Sequence, residues 1–180
     1  MKIVHRLLND TLLLSPTCKA EKSATDYRWS MSDFASVGIS KRLVQDHHSR
    51  SDANVLRGLH YQIHHAQGKL IRVLSGRIFD VAVDLRKSSP TYAEHVSIEL
   101  SAVDNYLLWI PAGYAHGFMV LDGPTEVAYS VTDYRYPEYE RTLLWSDPRF
   151  AINLSETESA VTLSDKDQHG VLLAQCETYL

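Results

Sequence analysis

The sequence has little of several features that identify common functional classes. It holds only two cysteines, Cys18 and Cys176, and their positions match no metal-binding or redox spacing. Its net charge of −4 gives no basic footprint for nucleic acid or an anionic membrane. We therefore expect reduced thiols, a cytoplasmic protein, and neither nucleic acid nor a membrane as partner. A pocket that binds an anion is not excluded, because it can be basic on an acidic protein.

Long apolar runs are also missing. The leucines at 7–8 and 12–14 are separated by polar residues 9–11, which is too broken for the core of a signal peptide. No window approaches the roughly 20 residues that span a bilayer. We also find no glycine-rich phosphate loop, internal repeat or linker-like stretch. The 180 residues therefore predict one domain, 1–180, that is not exported.

Strand signals dominate the middle two-thirds of the chain. The sequence Ser75-Gly76 between the first two signals predicts a hairpin turn. Only residues 32–37 and 165–173 have a helical pattern. Many short strands at this spacing indicate a mostly β fold, a sandwich or a closed barrel. The predicted strands are residues 69–74, 77–86, 94–100, 106–110, 118–121, 126–132 and 142–145.

The second predicted strand has an unusual polar side. Asp80 and Asp84 share one side of it, whereas the opposite side is entirely apolar. The simplest interpretation is a side that faces solvent. The alternative is a barrel with a polar lumen that holds a polar ligand. The strand alone does not decide between the two.

Two segments, 55–62 and 109–118, each place a histidine against glycine and aromatic residues. The histidines are His60 and His116. Taken singly, a histidine of this kind is more often structural than catalytic. When two such histidines occur in one small β domain, the catalytic interpretation has about the same weight as the structural one.

Three further side chains strengthen that interpretation. Arg57 and Lys69 supply cations, and Tyr129 supplies a phenol. Together with an imidazole base, these are the groups needed to remove a proton next to a carbonyl. The sequence therefore predicts acid–base chemistry at a carbon beside a ketone.

The sequence resembles the dTDP-4-dehydrorhamnose 3,5-epimerase family. The resemblance extends from Val44 to Pro148 and more weakly to the C-terminus, whereas a single Pro-x-Gly-x-x-His would indicate only a cupin. It implies a cupin-type jelly-roll β-barrel with a core at about 44–148 and short N- and C-terminal helical segments. It also implies a homodimer in which residues 1–43 reach the partner. The segments that carry it are 57–62, 66–69, 79–86 and 111–118.

The family resemblance also implies a reaction. It is a cofactor-independent isomerisation that inverts C3, C5 or both in a nucleoside-diphosphate-linked 4-keto-6-deoxyhexose, in deoxysugar and polysaccharide biosynthesis. His60 would be the base, oriented by Asp167. Lys69 would stabilise the enolate at the C4 oxygen, and Tyr129 would deliver a proton from the opposite face. The residues implied to contact the substrate are Arg57, Gln45, His116, Asp80 and Lys166.

This chemistry explains the residue types. A hydrogen on C3 or C5 is acidified only by the C4 ketone, so the enzyme must favour the enolate. An imidazole with a pKa of about 6.5 is a usable base at neutral pH, and a buried carboxylate fixes its tautomer. The oxidation state does not change, so no nicotinamide or flavin is required and we expect no cofactor.

A metal-dependent cupin oxygenase and a non-catalytic sugar-binding cupin are competing hypotheses. Metal-binding cupins present a close His-x-His pair, but here Tyr61 and Gln62 follow His60. The adjacent His64 and His65 would point to opposite faces of a strand, which suits one metal ion poorly. We therefore expect no metal site.

The N-terminal stretch departs from the family pattern. Members carry Asp-x-Arg-Gly followed by aromatic residues and a glutamate. Here Lys22 and Ser23 replace the Arg-Gly, and Tyr27 stands at the glutamate position. Lysine cannot reproduce a bidentate arginine contact, and a carboxylate is the natural acceptor for the N3–H of thymine. These changes support the hypothesis of a CDP- or GDP-linked substrate, and inversion at one carbon also fits the catalytic residues.

Overall fold

The computed structural model describes residues 1–21, 24–150, 152 and 161–180. Strands dominate it, which confirms the mostly β fold. Within these ranges the helices are α1 (Met31–Ser36), α2 (Asp165–Gln168) and a short 3-10 helix at Pro137–Tyr139. The strands are β1 (Lys2–Arg6), β2 (Leu12–Ser15), β3 (Thr17–Glu21), β4 (Ala24–Arg28), β5 (Gln45–Ser51), β6 (Val55–Gln62), β7 (Lys69–Asp84), β8 (His95–Ser101), β9 (Leu107–Ile110), β10 (Tyr114–Val131), β11 (Glu140–Thr142) and β12 (Thr162–Leu163).

Two long strands, β7 and β10, organise the molecule. They pair with each other along most of their length. The first half of β7 also pairs with β9, and its second half pairs with β8. The second half of β10 pairs with β5, and its first half pairs with β6. Each long strand therefore contributes to two antiparallel sheets, an arrangement consistent with a jelly-roll barrel. The first sheet contains β9, the first half of β7, the second half of β10 and β5, and the second contains β8, the second half of β7, the first half of β10 and β6.

The predicted hairpin at Ser75-Gly76 is wrong. The chain does not fold back there but continues through β7 and bends. Gly76 has a φ of +80°, which favours glycine, and a Cβ at this position would lie 2.1 Å from the Thr125 Oγ1 atom. A Ser-Gly pair is compatible with either a turn or a bend, so the local sequence does not distinguish them.

The main core lies between the two sheets. The first sheet contributes side chains such as Ile71 and Val127, and the second contributes Ile78 and Val120. The outer face of the second sheet is also covered, because Leu143, Phe150 and Leu173 pack on it. The outer face of the first sheet packs against Phe34 of α1 and Ile39. Apolar side chains on both faces of β7 are buried for this reason.

The solvent-facing interpretation of Asp80 and Asp84 is wrong. Both carboxylates are buried, with exposed fractions of 1% and 0%. They alternate along β7 with Val81 and Val83, which pack on the outer side, and so lie on the inner face of the strand. The polar side of this strand therefore points toward the barrel interior.

The N-terminal strands lie at the edge of the first sheet or form a sheet of their own. β1 and β2 extend the first sheet beyond β9, whereas β3 and β4 form a separate two-stranded sheet.

The helix predicted over residues 165–173 is shorter than expected, because α2 ends at Gln168. Its C-cap is His169, and the next residue, Gly170, is a poor helix former. The substituted pair Lys22 and Ser23 lies outside the described residues.

Candidate active site

The two histidine segments meet through strand pairing. His60 in β6 is the cross-strand partner of His116 in β10. The strands approach closely at Gly58 and Gly117, where a Cβ on Gly58 would lie only 2.6 Å from the Gly117 Cα atom. Two glycines therefore permit the contact that brings the histidines together.

A cleft of about 360 Å³ opens beside these histidines. It contains four basic residues that are cations at neutral pH and two carboxylates, so it is locally basic although the whole chain is acidic. The described residues that line it are His47, Ser49, Val55, Leu56, Arg57, His60, Tyr61, Gln62, Gln67, Lys69, His116, Gly117, Phe118, Tyr129, Arg135, Glu140, Ser164, Lys166 and Asp167.

His60 forms a hydrogen-bonded pair with Asp167. The distance from His60 Nε2 to Asp167 Oδ1 is 2.5 Å, and Asp167 is almost fully buried. The Ser164 hydroxyl donates to the other carboxylate oxygen at 2.8 Å. Burial alone would raise the pKa of Asp167, but the bonds from His60 and Ser164 outweigh it and lower that pKa. An ionised Asp167 accepts from Nε2–H and leaves the Nδ1 lone pair of a neutral His60 ring free to take a proton.

The His60 ring is neutral at neutral pH. Burial is the largest influence and lowers its pKa, whereas the hydrogen bond to Asp167 raises it. The nearby cations Lys166 and Lys69 lower it further, and the net direction is down from 6.5. A neutral imidazole held by a buried carboxylate is suited to the role of general base.

Lys69 is a buried cation at the edge of the cleft. Its Nζ donates to the main-chain carbonyl of His60 at 3.1 Å. Among the described residues, no carboxylate lies close enough to form a salt bridge with it. Burial lowers the pKa of Lys69 to about 8, against a smaller upward influence of Asp80. A poorly compensated ammonium group of this kind stabilises a developing oxyanion more strongly than a solvated one.

Tyr129 lies on the first sheet, whereas His60 lies on the second. Burial raises the pKa of the Tyr129 phenol, and the cations Arg57 and Arg135 only partly oppose this. The phenol therefore keeps its proton at neutral pH. Its ring stacks on His47, with 4.7 Å between the ring centroids. The site thus holds a protonated acid on a different sheet from the base.

His116 and Asp80 form a second buried histidine–carboxylate pair. The distance from His116 Nε2 to Asp80 Oδ2 is 2.9 Å. His116 lines the cleft, but Asp80 lies behind it and has one carboxylate oxygen without a hydrogen-bond partner among the described residues. Asp84 is engaged elsewhere: burial would raise its pKa, but bonds from Arg86, Ser89 and Thr91 lower it to about 2.

A charged cluster forms the rim of the cleft. Glu140 accepts from Arg135 Nε and from Lys166 Nζ, each at 2.9 Å. Burial would raise the pKa of Glu140, but these two cations lower it to about 2. Arg57 also lines the cleft, where its Nε donates to Ser51 Oγ at 2.9 Å. Two cations are thus held in place by one carboxylate, and a third lies nearby.

The structure brings together seven of the nine residues predicted for the site. Gln45 and Asp80 do not line the cleft. The Gln45 side chain accepts from the Arg135 main-chain N–H at 2.9 Å and so supports the rim. The seven residues that line the cleft are His60, Asp167, Lys69, Tyr129, Arg57, His116 and Lys166.

Sequence reasoning left the role of His47 open and did not single out Arg135 or Glu140. The two charged residues carry no motif. Arg135 lies in the loop after β10 and Glu140 begins β11 five residues later, whereas the contact of Glu140 with Lys166 depends on where α2 lies. His47 lies two residues after Gln45 on β5, so strand alternation places both on the same face. This was the one signal that could have identified His47. Tyr27 is exposed on β4, and Tyr134 is exposed too.

Metal-ligand geometry and membrane-spanning helices are not found in the part of the chain that the structure describes. No three His, Cys, Asp or Glu residues there are grouped to hold an ion. No helix within the same ranges has the length and apolar character needed to cross a bilayer.

Comparison with known proteins assigns the family. The family model for dTDP-4-dehydrorhamnose 3,5-epimerase matches residues 6–175. The enzyme of that name from Pseudomonas aeruginosa is 50% identical over 136 residues, covering 76% of this chain and 75% of its own. The one from Escherichia coli strain K12 is 41% identical over 171 residues, covering 93% and 92%.

A solved structure gives the same result. The dTDP-6-deoxy-D-glucose-3,5-epimerase of Legionella pneumophila, in complex with dTDP-4-keto-L-rhamnose, superposes with a TM-score of 0.92 at 39% identity. The match covers 98% of this chain and 94% of that one. The chain belongs to the dTDP-4-dehydrorhamnose 3,5-epimerase family.

Proposed function

We propose that this protein inverts C3 and C5 of a dTDP-linked 4-keto-6-deoxyhexose by proton abstraction and enolate formation. The observation that carries the proposal is the convergence on one cleft of the His60–Asp167 pair, the buried cation Lys69 and the phenol Tyr129. A base, an oxyanion stabiliser and an acid are the groups that epimerisation beside a ketone requires.

Each group has one step in the reaction. His60 Nδ1 removes the proton from C3 or C5, the C–H electron pair enters the enolate, and negative charge develops on the C4 oxygen. Lys69 stabilises that oxygen. Tyr129 then delivers its proton to the other face of the carbon, which inverts it. The phenolate regains a proton from solvent, and His60 releases the one that it took.

The rim cations are suited to the diphosphate of the substrate. Arg57, Arg135 and Lys166 line the same cleft as His60. Guanidinium and ammonium groups are the side chains that bind phosphate oxygens. His116, held by Asp80, would contact the sugar. We assign Gln45 and Asp80 supporting roles, because they bond to the rim and to His116 respectively.

For the nucleotide of the substrate, a second candidate remains beside dTDP. The names of the relatives, and the sugar nucleotide bound to the Legionella enzyme, favour dTDP. Tyr27 and the Lys22-Ser23 pair favour a CDP- or GDP-linked sugar, with inversion at one carbon as a further variant.

One experiment tests these choices. The protein is incubated with dTDP-4-keto-6-deoxyglucose in D2O, and the C3 and C5 protons are followed by NMR. We expect both signals to disappear as the L-sugar forms. Loss of one signal would indicate a single-site epimerase. Exchange only with the CDP- or GDP-linked sugar would contradict dTDP, and no exchange with any of them would overturn the epimerase assignment.

We also propose a cytoplasmic homodimer in which the N-terminal segment contributes to the contact. The apolar side chains Tyr27, Trp29 and Met31 are exposed together at the end of β4 and the start of α1, which supports an interface there. Cys18 and Cys176 are free thiols, which suits a reducing compartment. Light scattering should give twice the chain mass, and Trp29→Glu should shift it toward the monomer.

A further inference from the structure

A stacked pair of rings forms part of the cleft wall on the first sheet. His47 in β5 lies directly opposite Tyr129 in β10. The ring centroids are 4.7 Å apart and the planes differ by 8°. Both residues line the cleft. Cross-strand neighbours of this kind are the pairs through which a sheet orients its side chains.

The Tyr129 ring has few other constraints on its orientation. Within the described residues, its hydroxyl forms no hydrogen bond to the protein, so no polar contact fixes the phenol. One side of the ring packs against the barrel core, and the other lies on His47. The imidazole is therefore the contact on the cleft side that holds the plane of the phenol.

His47 is suited to act as a flat neutral surface. Burial lowers its pKa, and the cation Arg135 lowers it further. Asp46, Lys69 and Glu140 also influence it, the first and last in the opposite direction. Among the described residues, no group hydrogen-bonds to the ring. Its contacts are those of packing.

We propose that His47 is a positioning residue for Tyr129, holding the phenol in the plane from which it protonates the enolate. The proposal rests on the proposed function. In the step concerned, the phenolic O–H bond breaks, a C–H bond forms at the sugar carbon, and the phenolate later recovers a proton from solvent. Loss of the stack should impair this step and leave proton removal by His60 intact.

The test measures two rates in D2O with dTDP-4-keto-6-deoxyglucose. One is deuterium exchange at C3 and C5, and the other is formation of the inverted sugar. In His47→Ala we expect exchange to remain within about twofold, because His60 is untouched, while inversion falls by about tenfold or more, because a misplaced group reacts poorly. His47→Phe should restore inversion to within about threefold of wild type, because an aromatic ring can stack on the phenol.

His48→Ala is the matched control. His48 is the next residue of β5, points to the opposite face and bonds to Glu126 at 3.2 Å, so both rates should stay unchanged. Equal loss of exchange and inversion in His47→Ala would overturn the positioning role, as would a change in KM alone or a His47→Phe variant no better than Ala. The wild-type protein is measured in the same series. If it exchanges neither proton, the proposed function fails, whatever the His47 variants show.

Discussion

At the scale of single residues, the site depends on charged groups with little solvent around them. Asp167 and Lys69 are both buried. Hydrogen bonds from His60, Ser164 and the Gly58 main chain stabilise the charged form of Asp167, whereas burial dominates for Lys69 and disfavours its charged form. The carboxylate is therefore fixed as an anion, whereas the ammonium group loses its proton more easily than an exposed lysine. In the proposed mechanism, Asp167 orients the base and Lys69 remains available for the negative charge of the enolate.

Replacing Asp167 by Asn tests the first of these roles. An amide can no longer stabilise the imidazolium and can hold His60 in the wrong tautomer, so we expect kcat to fall by about 10²-fold or more. Proton exchange in D2O measures it. Asp165→Asn is the control, because Asp165 lies in the same helix but is exposed and outside the cleft. An unchanged rate in Asp167→Asn would show that the pairing has no catalytic role.

The pH profile of kcat/KM tests Lys69 and His60 together. His60 must be neutral to accept a proton, and its pKa is below 6.5, so the acid limb should lie below 6.5. Lys69 must be charged, and its pKa is about 8, so activity should fall as the pH rises through about 8. The pKa of Tyr129 is raised above its ordinary value of 10, which places the phenol outside this range.

Lys69→Arg separates the alkaline limb from other causes. Guanidinium stays protonated far above pH 8, so a folded variant with residual activity should lose that limb or show it at higher pH. An alkaline limb that stays at the same pH in Lys69→Arg would assign it to another group.

At the scale of elements, the bend in β7 and the short helix α2 position the groups that we propose to be catalytic. The bend lets one strand carry Lys69 in the first sheet and Asp80 in the second. Helix α2 begins at an N-cap, Ser164, whose hydroxyl bonds to Asp167. The capping residue thus also holds the carboxylate that orients His60.

Gly76→Ala tests the bend. The substitution meets a positive φ and a Cβ position 2.1 Å from Thr125 Oγ1, so we expect a loss of unfolding free energy above the roughly 1–2 kcal/mol of left-handed strain alone. Urea denaturation measures it. Gly38→Ala is the matched control, because Gly38 has a φ of +88° with no atom within 4 Å of the added Cβ. Equal losses in both variants would show that the bend tolerates a side chain.

At the scale of the whole molecule, the shared strands predict a single unfolding transition. Most inter-strand contacts run through β7 and β10, so neither sheet has a complete set of partners without the other. Amide hydrogen exchange near the denaturation midpoint should therefore give the same opening free energy for β8 and β9, which flank opposite halves of β7. Clearly lower protection of one sheet would show that the sheets unfold separately.

The sequence predicted the mostly β architecture better than it predicted how the strands are connected. Period-2 alternation located the strand now seen as β8, because its apolar face packs and its polar face is exposed, whereas β9 was located as a short apolar run that is buried on both faces. The alternation divided β7 and β10 at their bends, because a bend and a turn use the same residues. The residues proposed for catalysis were chosen through their motifs and the family resemblance, and all four line the cleft. Arg135 and Glu140 were missed, because an ion pair between a loop residue and the start of a short strand has no sequence motif.

The two unbroken strands also determine how the cleft can respond to a ligand. Both walls of the cleft contain parts of β7 and β10, so the walls cannot separate without breaking the hydrogen bonds between these two strands. Any gating must come from the short segments at the rim, which carry Arg135 and Lys166. We expect turnover to be almost insensitive to solvent viscosity, because no large domain has to move. The barrel strands that carry His60, Lys69 and Tyr129 therefore keep fixed positions during turnover, and only the rim adjusts to the ligand.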